Sequence, residues 1–407
     1  MKLETLKFIE ENSDWKNILT QPPYSLTIKE DDDYYLLKYN QIESDFSQRI
    51  VKECRGLILS KNNLKPVGLS FLKFHNFGEP YADTIDWTSA EIMDKIDGSK
   101  ILVWYDKDKW HVSTSGTIDA YEADVSNLGF TFGQLFDEAI DNSVLTRDDF
   151  YDILNKDRCY TFELVSPKAP IVIKYPKTKI YLIGIRDKKT LDELDIYKDE
   201  LARYISTPER FLLYSLDECI KASEVLPPDK EGYVVRDKYF NRIKIKNPTY
   251  LYLHHLNNGG VLSLSRLLGI VEENELDEFC TYFPEWKEEL EKIKEKKEQY
   301  LVRLEAAHQA LEHKLTNEDW ILTTVKLKDN ISKQITKLRP DKRKEIATYI
   351  TKELKDFSAY LFKYLDDKTY TVLNYWDDLS LDKKVESLRL KESENERKIR
   401  KTRKTDI

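Results

Sequence analysis

The sequence predicts an α+β protein in two parts: an N-terminal region of antiparallel sheets with flanking helices, and an all-α C-terminal region. Three observations carry this. Short runs rich in β-branched and aromatic residues recur through roughly the first 250 residues. Their spacing is irregular and few helical segments separate them, unlike the regular alternation of a doubly wound sheet. After Asn257-Asn258-Gly259-Gly260 the pattern changes to Lys/Glu/Leu-rich stretches with apolar residues at helical spacing.

Taken in order, SLTIKE (25–30), YYLLKYN (34–40), RGLILS (55–60), KILVWYD (100–106) and WHVSTS (110–115) read as strands. Asp106-Lys107-Asp108 has the composition of a hairpin turn joining the last two. YTFELVS (160–166), KIYLIGIRD (179–187), GYVVRD (232–237) and RIKIK (242–246) continue the series. TFGQLFDEAI (131–140) and the stretch Pro208 to Lys221 read as helices. From Glu285 onward Leu290, Ile293, Tyr300, Leu301 and Leu304 mark a helical stripe, with Asn317, Pro340 and Asp377-Asp378 as starts or breaks. A charged tail begins at Lys383 and ends RKIRKTRKTDI.

Composition excludes several classes. No run reaches the roughly 18 apolar residues that span a bilayer, and the amphipathic, acidic start MKLETLKFIEEN is not a secretory signal. Cys54, Cys159, Cys219 and Cys280 are scattered without a CxxC pair, which points to reduced thiols rather than zinc or disulfides, and so to the cytoplasm. The net charge of −8 speaks against a nucleic-acid binder, but basic patches at Lys244–Lys246 and in the tail leave that class open, since phosphate contacts are local.

The chemistry centres on Lys95-Ile96-Asp97-Gly98-Ser99, just before a strand. Alone, the string could be a solvated turn. It keeps ordered company: Glu53-Cys54-Arg55-Gly56 and Lys73-Phe74-His75-Asn76 upstream, then Phe162-Glu163, Glu231-Gly232-Tyr233 and Lys244-Ile245-Lys246 downstream. A lysine amine is a nucleophile only when its ammonium form is disfavoured by cationic neighbours or a metal. Lys244 and Lys246 alternate on a strand and so share one face; with Arg55 and Lys73 they supply positive charge able to hold a polyphosphate. Asp97 reads as a fixture of the turn around Gly98.

This ordered set, over residues 30 to 255, resembles the covalent nucleotidyltransferase superfamily of RNA ligases, DNA ligases and mRNA-capping enzymes. It is most similar to the phage-type ATP-dependent RNA ligase 1 family, known from tRNA repair. The resemblance implies an adenylation domain over 1–255, a helical domain for RNA specificity over 256–382 and a charged tail over 383–407. It implies Lys95 as the nucleophile that takes AMP, with Lys244 and Lys246 as catalytic cations. It further implies ATP contacts from Tyr39, Arg55, Lys73, Lys95, Glu163, Lys244 and Lys246, with Glu163 on the ribose and Tyr39 or Val234 against the adenine. Glu231 would hold Mg²⁺, or Mn²⁺ in its place. The implied substrates are RNA 5′-phosphate and 3′-hydroxyl ends, broken tRNA among them, joined by a monomer without membrane contact in the cytoplasm, the host's if phage-encoded.

One departure stands out. Family members carry Lys or Arg just before the glycine in the strand pair after the nucleophile, whereas this chain has Ser113-Thr114-Ser115-Gly116-Thr117. Lys100 and Lys109 are nearby, but neither matches by position. Two alternatives remain open from sequence: a DNA ligase or capping enzyme, which would place an OB-type barrel after Lys246, and a non-catalytic RNA-binding protein on the same scaffold. His254-His255 lack a third metal ligand at credible spacing, and Gly259-Gly260 reads as a hinge.

Overall fold

The computed structural model describes residues 3–125, 129–227, 229–251, 263–326 and 332–390. His254-His255, Gly259-Gly260 and the tail beyond Leu390 lie outside the described residues. The chain divides into two compact units, Met1–Asn258 with Asp277–Tyr282, and Gly259–Leu276 with Phe283–Ile407.

The first unit is built on three sheets. One is a meander of β1 (Thr27–Glu30), β2 (Tyr34–Lys38), β3 (Arg55–Ser60) and β4 (Pro66–Gly68). The strands that follow are β5 (His75–Asn76), β6 (Glu91–Asp94), β7 (Ser99–Asp106), β8 (Lys109–Thr114), β9 (Arg158–Val165), β10 (Lys179–Asp187), β11 (Glu193–Leu194), β12 (Arg210–Phe211), β13 (Gly232–Arg236) and β14 (Arg242–Lys246). They form a second sheet in the order β11-β10-β9-β7-β8 and a third in the order β12-β6-β13-β14-β5. The described pairings are antiparallel apart from β14 with β5.

Alternation decides what each face of the second sheet does. Ile101, Val103, Tyr160, Phe162 and Leu164 pack with Phe136 and Ile140 of the helix Phe132–Asp141. Leu102, Trp104 and Cys159 face the opposite way and join Leu36, Ile58 and Leu59 of the first sheet. Lys100 and Glu163, cross-strand partners, continue that second face, so the layer between the two sheets turns polar at one end. The expected hairpin is present: Lys107 and Asp108 both take left-handed backbone angles, the geometry a two-residue turn needs to follow strand twist.

Two sequence readings are corrected. Arg210–Phe211 is a strand on β6, and the helix begins only at Leu216, where the Ser215 hydroxyl accepts the Glu218 N–H. The second unit is mostly helical but not all-α. Its helices Leu264–Glu272, Lys287–Glu312, Pro340–Glu353, Ser358–Asp366, Val372–Asp377 and Leu381–Ser387 are joined by a hairpin of β15 (Trp320–Lys326) and β16 (Ser332–Leu338). The β-branched residues of ILTTVK and KQITKL favour an extended backbone over the surrounding Lys/Glu-rich pattern. Leu304, Leu311, Leu338, Ile350, Leu361 and Leu365 make the core of this unit.

Glu272 fastens three of these helices, 2.7 Å from Lys297 Nζ, 2.6 Å from Lys384 Nζ and 3.0 Å from Trp376 Nε1. Burial alone would raise its carboxyl, but the two lysines outweigh burial and hold it below the usual range. A carboxyl depressed on folding contributes stability above its unfolded pKa and loses it as pH falls through the folded value. Glu272→Gln should destabilise the second unit by about 3 kcal/mol by stranding the buried Lys384 and the half-buried Lys297, measured as a lower thermal midpoint at neutral pH. A gap that persists unchanged into acid would contradict the assignment.

Candidate active site

Lys95 lies where the chain leaves β6 and crosses to β7, from the third sheet to the second. Its N–H donates to the Gly232 carbonyl (2.9 Å), and its Nζ is 2.7 Å from Glu231 Oε1. The neighbouring motif residues explain the crossing. The buried Asp97 carboxylate accepts from the Val172 N–H (3.0 Å), the Ile173 N–H (2.8 Å) and the Tyr250 hydroxyl (2.8 Å). A Cβ on Gly98 would stand 2.5 Å from the Leu164 carbonyl oxygen, so no larger residue fits between β7 and β9. Asp97 and Gly98 are thus the fixture that aims Lys95.

The second glycine motif works by the same constraint. Gly232 has φ +140°, and a Cβ there would meet the Ile245 carbonyl oxygen at 2.2 Å. Backbone contact at this point sets Glu231 beside the Lys95 amine. Across the ladder, Ile243 and Ile245 enter the core with Tyr233 and Val235, which leaves Val234, Lys244 and Lys246 on the opposite face. In the upstream motif, Gly56 (φ +78°) is the unpaired residue of a bulge between Leu37–Leu57 and Lys38–Arg55. The bulge turns Arg55 toward Phe71 and Phe74, its guanidinium 4.8 and 5.4 Å from the two ring centroids. Glu53 is structural: its buried carboxylate accepts the Thr5 N–H (2.9 Å) and hydroxyl (2.7 Å) at the start of the helix Glu4–Glu11.

A cavity of about 120 Å³ gathers Arg55, Lys95, Glu163, Val234 and Lys244 with Phe71 and Phe74. Glu231 reaches it through Lys95. Lys246 instead pairs with Glu278 at 2.7 Å, a buried carboxylate on the helix Leu276–Tyr282. Lys73 and Tyr39 do not line the cavity. The Lys73 ammonium lies 5.4 Å from the Tyr39 ring, which packs edge-on against Phe46, and Tyr39 lines a separate groove. Val234 and Tyr39 therefore do not face each other across one cavity here.

Charge and burial compete throughout. Burial first, then Lys73, push the Lys244 ammonium well below its usual range, against the pull of Glu278. Burial would raise Glu278, but Lys246 and Lys244 outweigh it and hold its carboxyl low. Burial drives Glu163 up to about 7, opposed by Lys95. His75, beside Lys244 on the parallel strand β5, falls to about 3 through burial and then Lys73, Lys52 and Lys244, so it is neutral.

Sequence reasoning missed two participants, Tyr250 and Glu278, and named a third, Lys100, without placing it. Tyr250 and Glu278 stand in segments with no distinguishing pattern. Lys100 could have been placed from period two, because it lies directly opposite Glu163; its Nζ donates to the Arg55 carbonyl at 2.6 Å. Lys109 sits at the far, turn end of β8, away from Ser115.

A sequence model of the family described as RNA ligase matches residues 53–250, the segment that holds Arg55, Lys95, Glu163, Glu231, Lys244, Lys246 and Tyr250. Over residues 53–250 the chain is similar to the phage-type RNA ligase family. An RNA ligase of Rhodothermus phage RM378 is 26% identical over 325 residues, covering 65% of this chain and 73% of that one. A protein of Autographa californica nuclear polyhedrosis virus, whose name joins a polynucleotide kinase to an RNA ligase, is 29% identical over 274 residues. That match covers 63% of this chain but only 38% of the viral protein. Among solved structures, an archaeal ATP-dependent RNA ligase overlays with a TM-score of 0.41 at 13% identity, covering 85% of this chain and 98% of that one. A Naegleria gruberi RNA ligase with ATP and Mn overlays at 0.33 and 16% identity, covering 41% and 51%. Both overlays are loose, and the likeness to the family rests on the sequence match. No helix among the described residues is long and apolar enough to cross a membrane.

Glu163 offers a pH test of the site's electrostatics. A carboxyl raised on folding favours the native state below its unfolded pKa and loses that contribution as pH rises through the folded value. Between the ordinary carboxylate range and about 7, stability should decline as Glu163 ionises. Glu163→Gln should flatten that decline in denaturant midpoints measured across the interval. The same slope in both proteins would place the titration elsewhere.

Proposed function

We propose that the chain is an ATP-dependent RNA ligase working through a covalent lysyl-AMP. The observation that carries this reading is the Lys95 amine on a buried cavity with Arg55, Lys244 and Glu163, its proton held by Glu231 Oε1 at 2.7 Å. ATP enters with its phosphates toward Arg55, Lys244 and Lys246, with Lys73 adding to the field. The polyanion raises the Lys244 ammonium back toward its usual range and draws Glu231 away from the amine. Lys95 Nζ attacks the α-phosphorus; a P–N bond forms and the bond to pyrophosphate breaks. An oxygen of an RNA 5′-phosphate then attacks the same phosphorus and releases the lysine. Finally an RNA 3′-hydroxyl attacks the activated 5′-phosphate and AMP departs. Fixed cations serve all three steps, since positioning and charge supply most of the catalysis in such transfers.

In this reading Glu163 contacts the ribose and Val234 the adenine, with Tyr39 reaching the nucleotide only by moving from its present packing. The second Glu231 oxygen is buried without a hydrogen-bond partner, which fits a hard divalent cation sharing phosphate oxygens. Mg²⁺ or Mn²⁺ held there would neutralise phosphate charge. Beyond Lys246 the described residues form helices and one hairpin, which favours RNA over the substrates of barrel-bearing relatives in the superfamily. Broken tRNA in a cytoplasm is the substrate this reading prefers, handled by a single copy of the chain.

Incubation with α-labelled ATP and Mg²⁺ should attach one AMP through a bond stable to alkali and labile to acid, and Lys95→Ala should abolish it. Lys244→Ala and Lys246→Ala should each slow labelling by about a hundredfold to a thousandfold, the usual cost of one preorganised charge. Normal labelling of Lys95→Ala would refute the mechanism, and a chain that never labels would be a binding protein.

Substrate choice is assigned to the second unit. A truncation after Tyr282, which keeps Glu278 on Lys246, should still accept AMP but lose its preference for a nicked tRNA-like stem-loop over a simple oligonucleotide. Unchanged preference in a folded fragment would remove RNA selection from those helices.

A further inference from the structure

A second opening in the first unit, of about 640 Å³, lies between β1, β2 and the Ser115–Thr117 turn. It is within the range of small-ligand sites and larger than the Lys95 cavity. Its walls include Lys29, Lys38, Tyr39, Thr27 and Thr117, and no carboxylate lines it. Thr27 pairs with Lys38, and Lys29 with Leu36, across the β1–β2 ladder, so both lysines share one face. The groove's floor is bare backbone: a Cβ on Gly116 would stand 3.4 Å from Lys38 Nζ. Lys29 and Lys38 are the charged residues of its lining.

The groove adjoins the catalytic cavity through one cross-strand pair. Lys38 is the ladder partner of Arg55, whose guanidinium lines the Lys95 cavity, and the Arg55 carbonyl binds Lys100. Lys38 is close enough to contribute, after burial and Arg55, to the depression of Lys100. A row of cations thus runs from Lys29 and Lys38 past Arg55 to Lys95.

We propose that this groove binds the phosphate backbone of single-stranded RNA next to the end being joined, with Lys29 and Lys38 holding the phosphates and Tyr39 beside them as a face for a base. The proposal rests on the RNA ligase reading and adds to it where the strand lies. It also gives the Ser115-Gly116 turn a cation from another strand, in place of one at position 115.

The test uses the full chain and a short 5′-phosphorylated oligoadenylate without ATP. Lys29→Ala/Lys38→Ala should weaken binding at least tenfold at moderate salt. With two phosphate-binding lysines removed, the slope of log affinity against log salt should become shallower by about 1.4, at about 0.7 per single-strand phosphate. Lys65→Ala, an exposed lysine on the β3–β4 turn, should bind as wild type and controls for net charge. Transfer of label from ATP reports that each variant is folded. Wild-type affinity and slope in the double variant would overturn the subsite alone, provided the wild type labels with ATP. A higher ATP requirement with RNA affinity intact would give the groove to the nucleotide instead. A wild type that neither labels nor binds RNA would remove the ligase reading and this one together.

Discussion

The site depends on a backbone constraint more than on any charged pair. Between Asp94 and Ser99 the chain passes from one sheet to another, and it can do so only where Gly98 admits the Leu164 carbonyl. Asp97 then ties the crossing to two N–H groups and to Tyr250, so a segment that would otherwise be a loop has donors on both carboxylate oxygens. Hydrogen bonds to a buried carboxylate are among the stronger ones in proteins, about 1.5–3 kcal/mol each. The result is a lysine whose Cα is fixed by strands on either side. Gly232 does the same for Glu231. Together the two glycines put an amine and a carboxylate within 2.7 Å by backbone packing, and the side chains have little freedom to lose when a substrate arrives.

That rigidity explains how opposed charges coexist in so small a space. The chain carries a net −8, yet Arg55, Lys73, Lys95, Lys100, Lys244 and Lys246 converge on one end of the first unit. Burying this many cations without anions would be prohibitive. The fold answers in three ways. Arg55 lies over aromatic rings, Lys95 and Lys246 take Glu231 and Glu278, and burial lowers the Lys244 and Lys100 ammonium groups well below their usual range. In the proposed reaction each arrangement would be reversed by a polyphosphate, which carries more negative charge than these partners.

How much of this was legible in the sequence follows from the range of the interactions involved. RGLILS, RIKIK and KILVWYD are strands because alternation is a local property, and the shared face of Lys244 and Lys246 follows from the same period. The roles of Gly98 and Gly232 sit in motif spacing, although the clash that demands glycine is with another strand. What failed was non-local or marginal. β5, β11 and β12 are two residues long and exist only as partners of longer strands. Tyr250 and Glu278 reach the site through tertiary packing, which no window of sequence reveals. The hairpin β15–β16 was hidden because its lysines match the helical composition around it, while its β-branched residues decide the backbone.

Glu278 also shows why the segment matched by the family is not self-sufficient. The match ends at Tyr250, but the first unit includes Asp277–Tyr282, and with it the carboxylate on Lys246. Lys246 and Lys244 in turn outweigh burial and hold the Glu278 carboxyl low. The helix Leu276–Tyr282 therefore belongs to the chemistry although it lies outside the motifs. In the proposed reaction, Glu278 supplies the negative charge beside Lys246 that an incoming anion would replace.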